Sequence, residues 1–250
     1  MKERYLKMSF AGTLIILSIM SVTSAFGESA TLDQKGNVTV DDSGKTEIVD
    51  PEKPEEVIEP GPSPSTSGSL RIDYVSSLDF GKVKVTETNR VYPTLANKVG
   101  TEGKLRGTFI QVSDFREKRT GWSLQVKQET QFKTDTYDEL TGAVLSLDKG
   151  WANSSSSNNS PSVTRDTLAI NNIGQVYEVA RADETSGAGV WTIAFGASKE
   201  NDKNQPVTIE NNQKSGKSVN QAVSLKVPDA TKIVAKEYQT KMTWILSEAP

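Results

Sequence analysis

Residues 121–132 read GWSLQVKQETQF, and the first half of this stretch alternates between apolar and polar side chains. Successive side chains of a β-strand point to opposite faces, so residues two apart share a face. The pattern predicts a strand with one apolar and one polar face, as in an antiparallel sheet that is solvated on one side. The apolar face carries Trp122, Leu124 and Val126, and the polar face carries Ser123, Gln125 and Lys127.

The Trp-x-Leu pair of this stretch returns in residues 238–248, which read YQTKMTWILSE. Trp244 and Leu246 are again two residues apart in an alternating run, so they share a face of a second predicted strand. Each pair therefore forms one aromatic and aliphatic unit on one side of a sheet. Whether that side faces a core or a ligand decides how the protein works.

Short alternating runs separated by turn residues continue from residue 70 to the end of the chain. Many short strands with period-two patterning are typical of an all-β sandwich or barrel. We predict one all-β domain, an antiparallel β-sandwich-like fold, over residues 70–250. Further strands are expected within residues 69–75, 108–112, 142–150, 175–182, 189–196 and 221–228. Two of these runs give shared faces to Trp191, Ile193 and Phe195 and to Val223, Leu225 and Val227.

The first 27 residues have the layout of a secretory signal peptide. Three basic residues precede an apolar run over residues 10–22, and small residues follow it. Cleavage after Ala25 and cleavage after Gly27 both fit this pattern. The apolar run is shorter than the roughly 20 residues that span a bilayer, so we expect no stable membrane insertion after the signal is removed.

Residues 28–69 are predicted to be a disordered leader rich in acidic residues, proline and serine. Residues 26–69 hold ten acidic and three basic residues and few large apolar ones. Such a segment buries too little apolar surface to offset the entropy of ordering it. It is either a stalk or a solubilising leader. The rest of the chain is near neutral, which argues against nucleic acid as a partner.

The chain contains neither cysteine nor histidine. This composition excludes disulfides, a lipid-modified cysteine, histidine-based catalysis and the usual zinc sites. The acidic residues Asp135, Asp138 and Glu139 lie in a turn-like stretch without the spacing of a calcium loop. Surface solvation is the better interpretation of this cluster. We therefore expect no enzyme activity, no catalytic residues, no metal and no cofactor; a wall hydrolase with two carboxylates is the remaining enzymatic alternative.

A polar stretch, DKGWANSSSSNNSP, covers residues 148–161. It is predicted to be a loop at a hairpin tip or between sheets. Trp151 within it is expected to be exposed or only partly covered. Such a tryptophan serves either as a local packing anchor or as a binding platform.

The order of these elements resembles the WxL domain of Gram-positive surface proteins. The resemblance covers roughly residues 69–250 and includes SLRIDYVSSLDFG, GWSLQVKQETQF, LTGAVLSL, GAGVWTIAFG, AVSLKVP and the terminal YQTKMTWILSEAP. It implies a secreted protein, located at the cell wall and cell surface, that attaches non-covalently by binding peptidoglycan. It also implies companion surface proteins. The binding residues that the resemblance implies are Trp122, Leu124, Trp244 and Leu246.

Two interpretations of the Trp-x-Leu pairs remain open. The rings either fill a core or form an exposed shelf against sugar rings. If they are core, binding must use loops or the polar sheet face, where lysine and arginine would meet wall carboxylates and phosphates. Polar candidates near the pairs are Gln125, Lys127, Gln239 and Lys241.

The alternative function is that of a structural subunit in a surface complex. In that case the ligand is a membrane-anchored companion protein. The feature that motivates it is a bare domain with no further module to display.

Overall fold

A computed structural model describes residues 46–212 and 216–249 of the chain. In these residues the regular secondary structure is β-strand, as predicted. No helix among them is long and apolar enough to cross a membrane. The predicted signal peptide, residues 1–27, and the first part of the predicted leader, residues 28–45, lie outside the described residues.

The strands are short and follow one another through the whole domain. They are β1 (Leu70–Val75), β2 (Val91–Leu95), β3 (Asn97–Val99), β4 (Lys104–Arg106), β5 (Thr108–Asp114), β6 (Trp122–Gln128), β7 (Val144–Leu147), β8 (Gly150–Asn153), β9 (Ser162–Val163), β10 (Leu168–Ile170), β11 (Val176–Ala182), β12 (Gly189–Phe195), β13 (Ile209–Asn212), β14 (Lys217–Lys226) and β15 (Met242–Glu248).

These strands form three main sheets and one small hairpin. The first sheet has the order β1-β5-β12-β8, and the second has the order β10-β7-β14-β13 with β2 also paired to β14. The third sheet has the order β15-β6-β11-β9, and β3 pairs with β4. All these strand pairings are antiparallel, so the predicted fold class is confirmed.

The sheets share one apolar core, which the alternating runs of the sequence supply. Every second residue of β6 from Trp122 to Val126 and of β12 from Trp191 to Phe195 faces it, as the period-two pattern predicts. Val223 of β14 joins this core, whereas Leu225 and Val227, which the pattern placed with it, belong to a separate apolar cluster. The buried members of this core include Trp122, Leu124, Val126, Leu145, Leu147, Val179, Trp191, Ile193, Phe195 and Val223.

The segment from residue 46 to residue 58 packs against the first sheet, where Gln111 of β5 accepts from the N–H of Val49 and Asn153 of β8 donates to the carbonyl oxygen of Pro51. The guanidinium of Arg106 donates two hydrogen bonds to the carboxylate of Asp50, at 2.7 and 2.8 Å. The carboxylate of Glu52 accepts hydrogen bonds of 2.6 Å from both the N–H and the hydroxyl of Ser198. Both acids are fully buried. The prediction of a disordered leader is therefore wrong for this segment, because a buried ion pair, buried hydrogen bonds and the packing of Ile48 and Ile58 hold it against the domain.

The prediction for Trp151 was also wrong. Trp151 lies in β8 opposite Ala194 of β12, and only 3% of its surface is exposed. Its indole N–H donates to the carbonyl oxygen of Gly196 at 3.1 Å. It belongs to a second apolar cluster with Tyr74 and Phe109. The polar loop begins only after β8. The sequence did not predict this strand, because the serines and asparagines that follow it make the whole stretch look like a loop.

Candidate functional site

The two Trp-x-Leu pairs lie on neighbouring strands of the third sheet. Leu124 of β6 is directly opposite Leu246 of β15, and Trp244 is opposite Val126. Residues opposite one another in an antiparallel pair project from the same face. The two pairs therefore share one face of the sheet, and this face is turned toward the core.

Trp122 and Leu124 have no exposed surface. The indole N–H of Trp122 donates to the carbonyl oxygen of Gly187 at 3.1 Å, which satisfies the polar atom of the buried ring. Gly187 has a φ of +70°, and a Cβ there would lie 2.7 Å from Nε1 of Trp122. The first pair is therefore core, and neither of its side chains can touch an external polymer in this structure.

Trp244 and Leu246 are placed differently because β15 is the terminal strand of its sheet. Both side chains are half-buried and pack against the shared core from its rim. Part of each side chain remains accessible to solvent. Of the residues that the family resemblance implies for binding, these two can reach a ligand.

The opposite face of the third sheet is polar and faces outward. On β6 it carries Gln125 and Lys127, and the neighbouring strands add hydroxyls and charges. Ser123 donates to the carboxylate of Glu178 at 3.1 Å, and Arg181 pairs with the same carboxylate at 3.2 Å. We call this surface, comprising Ser123, Gln125, Lys127, Val176, Glu178, Arg181, Thr243, Ile245 and Ser247, the outer face.

One acidic residue connects the outer face to the end of the two motif strands. Glu129 accepts a hydrogen bond from the hydroxyl of Thr243 at 2.7 Å and pairs with Lys127 at 3.0 Å. The Thr243 hydrogen bond, and then Lys127, hold the pKa of Glu129 below its usual value. The carboxylate therefore stays charged and keeps both side chains in place.

An open groove of about 740 Å³ continues from this end of the outer face. The backbones of Lys133 and Gln239 exchange two hydrogen bonds of 2.9 Å, which prolongs the pairing of the motif strands. The groove presents basic, acidic and neutral polar groups together. Its lining consists of Thr130, Lys133, Thr134, Asp135, Lys236, Glu237, Gln239, Thr240 and Lys241.

The sequence had singled out Gln239 and Lys241, and the structure places both in this groove. It had not found Lys133 or Lys236. Antiparallel pairing of the two motif strands was the available signal, because it brings the residues after Gln128 beside those before Met242.

The acidic stretch of residues 135–139 organises a turn beside the groove. Asp138 accepts hydrogen bonds from the hydroxyls of Thr136 and Thr134 and pairs with Lys236 at 3.7 Å. The Thr136 hydrogen bond is the main cause that lowers the pKa of Asp138. Within the described ranges, no group of three or more histidine, cysteine or acidic residues is placed to hold a metal ion.

The fold and this surface define an all-β binding domain whose two Trp-x-Leu strands lie side by side beneath a polar outer face. A family model described as "WxL domain surface cell wall-binding" matches residues 27–250. The chain therefore belongs to the WxL family. No curated protein and no solved structure matches it.

Membership of this family confirms the resemblance seen in the sequence. The protein is a cell-wall-binding protein of the cell surface, and the family is one of binding domains, not of enzymes.

Proposed function

We propose that the protein attaches to the cell wall non-covalently by binding peptidoglycan, with the outer face and the adjoining groove as the contact surface. The observation that carries the proposal is the position of the groove. It lies where the two Trp-x-Leu strands end together, and it brings Lys133, Lys236 and Lys241 beside the amide of Gln239.

These groups match the chemistry of peptidoglycan. Its peptide stems offer carboxylates, and an ammonium group binds a carboxylate through charge-assisted hydrogen bonds. Its sugars offer hydroxyl and amide groups, which Gln239 and the threonines of the groove can meet as donors or acceptors. An open, polar groove suits an extended chain that slides in from solvent.

In this proposal the Trp-x-Leu residues have structural roles on their two strands. Trp122 and Leu124 hold β6 in place from the core side and do not touch the ligand. Trp244 and Leu246 support β15 from the same core-facing side, at the rim of the sheet. The two tryptophans thus mainly stabilise the strands that carry the outer face.

The test is sedimentation with purified peptidoglycan from which phosphate-bearing polymers have been stripped. The wild-type chain should sediment with the peptidoglycan at low salt. A Lys133→Glu, Lys241→Glu double variant should stay largely in the supernatant while its melting curve is unchanged. Lys118→Glu with Lys203→Glu is the matched control, since both lysines are exposed outside the groove.

Two outcomes would count against the proposal. Wild-type protein that remains in the supernatant at low salt would remove peptidoglycan as the ligand. A groove variant that sediments as well as the control would keep the ligand but move the binding surface elsewhere.

A second candidate is a structural subunit that binds a membrane-anchored companion protein. Exposed apolar side chains favour it: Val176 lies opposite Lys127 on the third sheet, and Ile173 precedes it by three residues. A protein partner would cover such side chains. Loss of surface retention after deletion of the companion, with the wall intact, would support this function over direct wall binding.

A further inference from the structure

The open side of β15 presents unused backbone hydrogen-bonding groups. The carbonyl oxygen of Lys241 accepts from the N–H of Glu129 at 2.8 Å, and the N–H of Ala249 donates to Gly121 at 3.1 Å. Hydrogen-bonded and non-hydrogen-bonded pairs alternate along an antiparallel ladder. The backbone N–H and C=O groups of odd-numbered residues in this strand therefore bond to β6, and those of even-numbered residues point away from β6. The residues whose backbone groups point toward the open edge are Met242, Trp244, Leu246 and Glu248.

No backbone hydrogen bond within the described part of the chain reaches β15 from its open side. The edge of β1 is treated differently. Ile72 exchanges two hydrogen bonds with Thr66, both at 2.9 Å, and Val75 exchanges two with the hydroxyl of Ser63. The preceding segment thus bonds to the edge of β1, whereas the outward backbone groups of β15 receive no backbone hydrogen bond within the described residues.

The strand also lacks the usual devices that keep an edge from pairing. Proteins protect edges with proline, bulges, short length or charged side chains. β15 contains no proline, its one charged residue is Glu248 at the end of the strand, where it pairs with Arg116, and the pairing to β6 runs through seven residues without a bulge. Trp244 and Leu246 add partly exposed apolar surface at this edge. The backbone groups of such an edge are a template for pairing with another strand.

We propose that the partner strand is β15 of a second copy of this chain. Antiparallel pairing centred on Ile245 makes the strand its own complement. It places Trp244 opposite Leu246 of the second copy, and each Leu246 opposite the other Trp244. An aromatic beside a branched aliphatic side chain is a favourable cross-strand pair.

The charges near the strand agree with this register. Glu248 comes to lie opposite Met242 of the second copy, and Lys241 opposite Ala249, so no like charges face each other. Glu248 also keeps its ion pair of 2.9 Å with Arg116 of its own chain. The two third sheets join into one continuous sheet of eight strands.

The dimer has a consequence for wall attachment. Antiparallel strands that meet edge to edge are related by a two-fold axis perpendicular to the sheet, so both outer faces point the same way. Two grooves on one side of a dimer bind a repetitive polymer more tightly than one groove does, because the second contact is intramolecular.

Cysteine trapping tests the register, since the chain has no cysteine of its own. The two Ile245 residues would form a non-hydrogen-bonded pair with Cα atoms about 4.5 Å apart, which is within disulfide range. Ile245→Cys should therefore give a disulfide-linked dimer under mild oxidation. Thr243→Cys is the matched control, because its two copies would be about 14 Å apart.

Adding Met242→Pro to Ile245→Cys should lower the trapped fraction, since it removes one outward N–H and leaves the ladder to β6 intact. Sedimentation equilibrium of the unmodified chain should show a concentration-dependent dimer. A chain that is monomeric at every concentration would overturn the proposal. So would equal trapping of the Ile245→Cys and Thr243→Cys variants, since this would show that contact is not in the stated register.

Discussion

Leu124 of β6 lies directly opposite Leu246 of β15, so the two Trp-x-Leu pairs meet at their leucines. Because the strands are antiparallel, the two tryptophans extend from this leucine pair in opposite directions along the sheet. Trp122 reaches into the interior, while Trp244 stays at the rim. The same three-residue pattern therefore places one tryptophan in the core and the other at the edge of one sheet.

This difference predicts unequal costs for the two tryptophans. Trp122→Ala should lower the free energy of unfolding by about 3–5 kcal/mol, because it empties a fully buried site and removes the hydrogen bond to Gly187. Trp244→Ala should cost about 1–2 kcal/mol, since part of its surface is already in contact with water. Denaturant unfolding of both variants measures the difference. Equal losses would show that both rings occupy equivalent sites.

Gly187 should tolerate no side chain. A Cβ at this position would lie 2.5 Å from Cβ of Ala182 and 2.7 Å from Nε1 of Trp122. Gly187→Ala should therefore cost about 2–4 kcal/mol, through the clash and the positive φ together. Gly103→Ala is the matched control, because its φ is +65° but its Cβ would meet nothing within 4 Å. That control should lose only about 1 kcal/mol in the same thermal or denaturant measurement.

The buried ion pair between Asp50 and Arg106 should make residues 46–58 part of the folded unit. Asp50→Ala leaves the fully buried guanidinium of Arg106 without its bidentate partner, and we expect a loss of about 3–5 kcal/mol in the free energy of unfolding. Lys53→Ala on the same segment should change it by less than about 0.5 kcal/mol, since Lys53 forms only a partly exposed ion pair. A chain beginning at residue 70 that unfolds at the same denaturant concentration would contradict this role.

Glu52 predicts a pH dependence of stability. Burial raises the pKa of its carboxyl above the ordinary value of 4.5, although hydrogen bonds from Ser198 and the charge of Arg106 oppose the shift. The folded state then binds this proton more tightly than the unfolded state does. The stabilising contribution of the group is complete below the unfolded pKa and is lost as pH rises through the folded pKa.

The measurement compares wild type with Glu52→Gln, which keeps the size of the side chain. The stability of the wild type relative to this variant should fall as pH rises above the ordinary carboxyl pKa of 4.5. Glu55→Gln is the control, because Glu55 is exposed on the same segment. A difference that rises with pH would mean that Arg106 dominates over burial.

Much of the third sheet could be predicted from the chain itself. The alternation around Trp122 and Trp244 predicts both strands and which side chains share a face, and each is observed. Trp151 was misplaced because its strand has four residues, too few for a period-two pattern to stand out from the polar loop that follows. The part of the leader from residue 46 was wrongly predicted to be disordered. Amino-acid composition shows how much apolar surface a segment can bury, but it does not show which ion pairs the segment will form.

Local sequence thus determined the antiparallel class and which side chains share a face in the longer alternating strands, since the two-residue period of a β-strand can be read from neighbouring residues. Tertiary structure alone decided which strands are neighbours. That choice buries Trp122, leaves Trp244 at an edge, gathers Lys133 and Lys241 into one groove, and brings Asp50 to Arg106. These contacts join residues far apart in the chain. They form because the three sheets bury their apolar faces against one another, and this packing brings distant segments together.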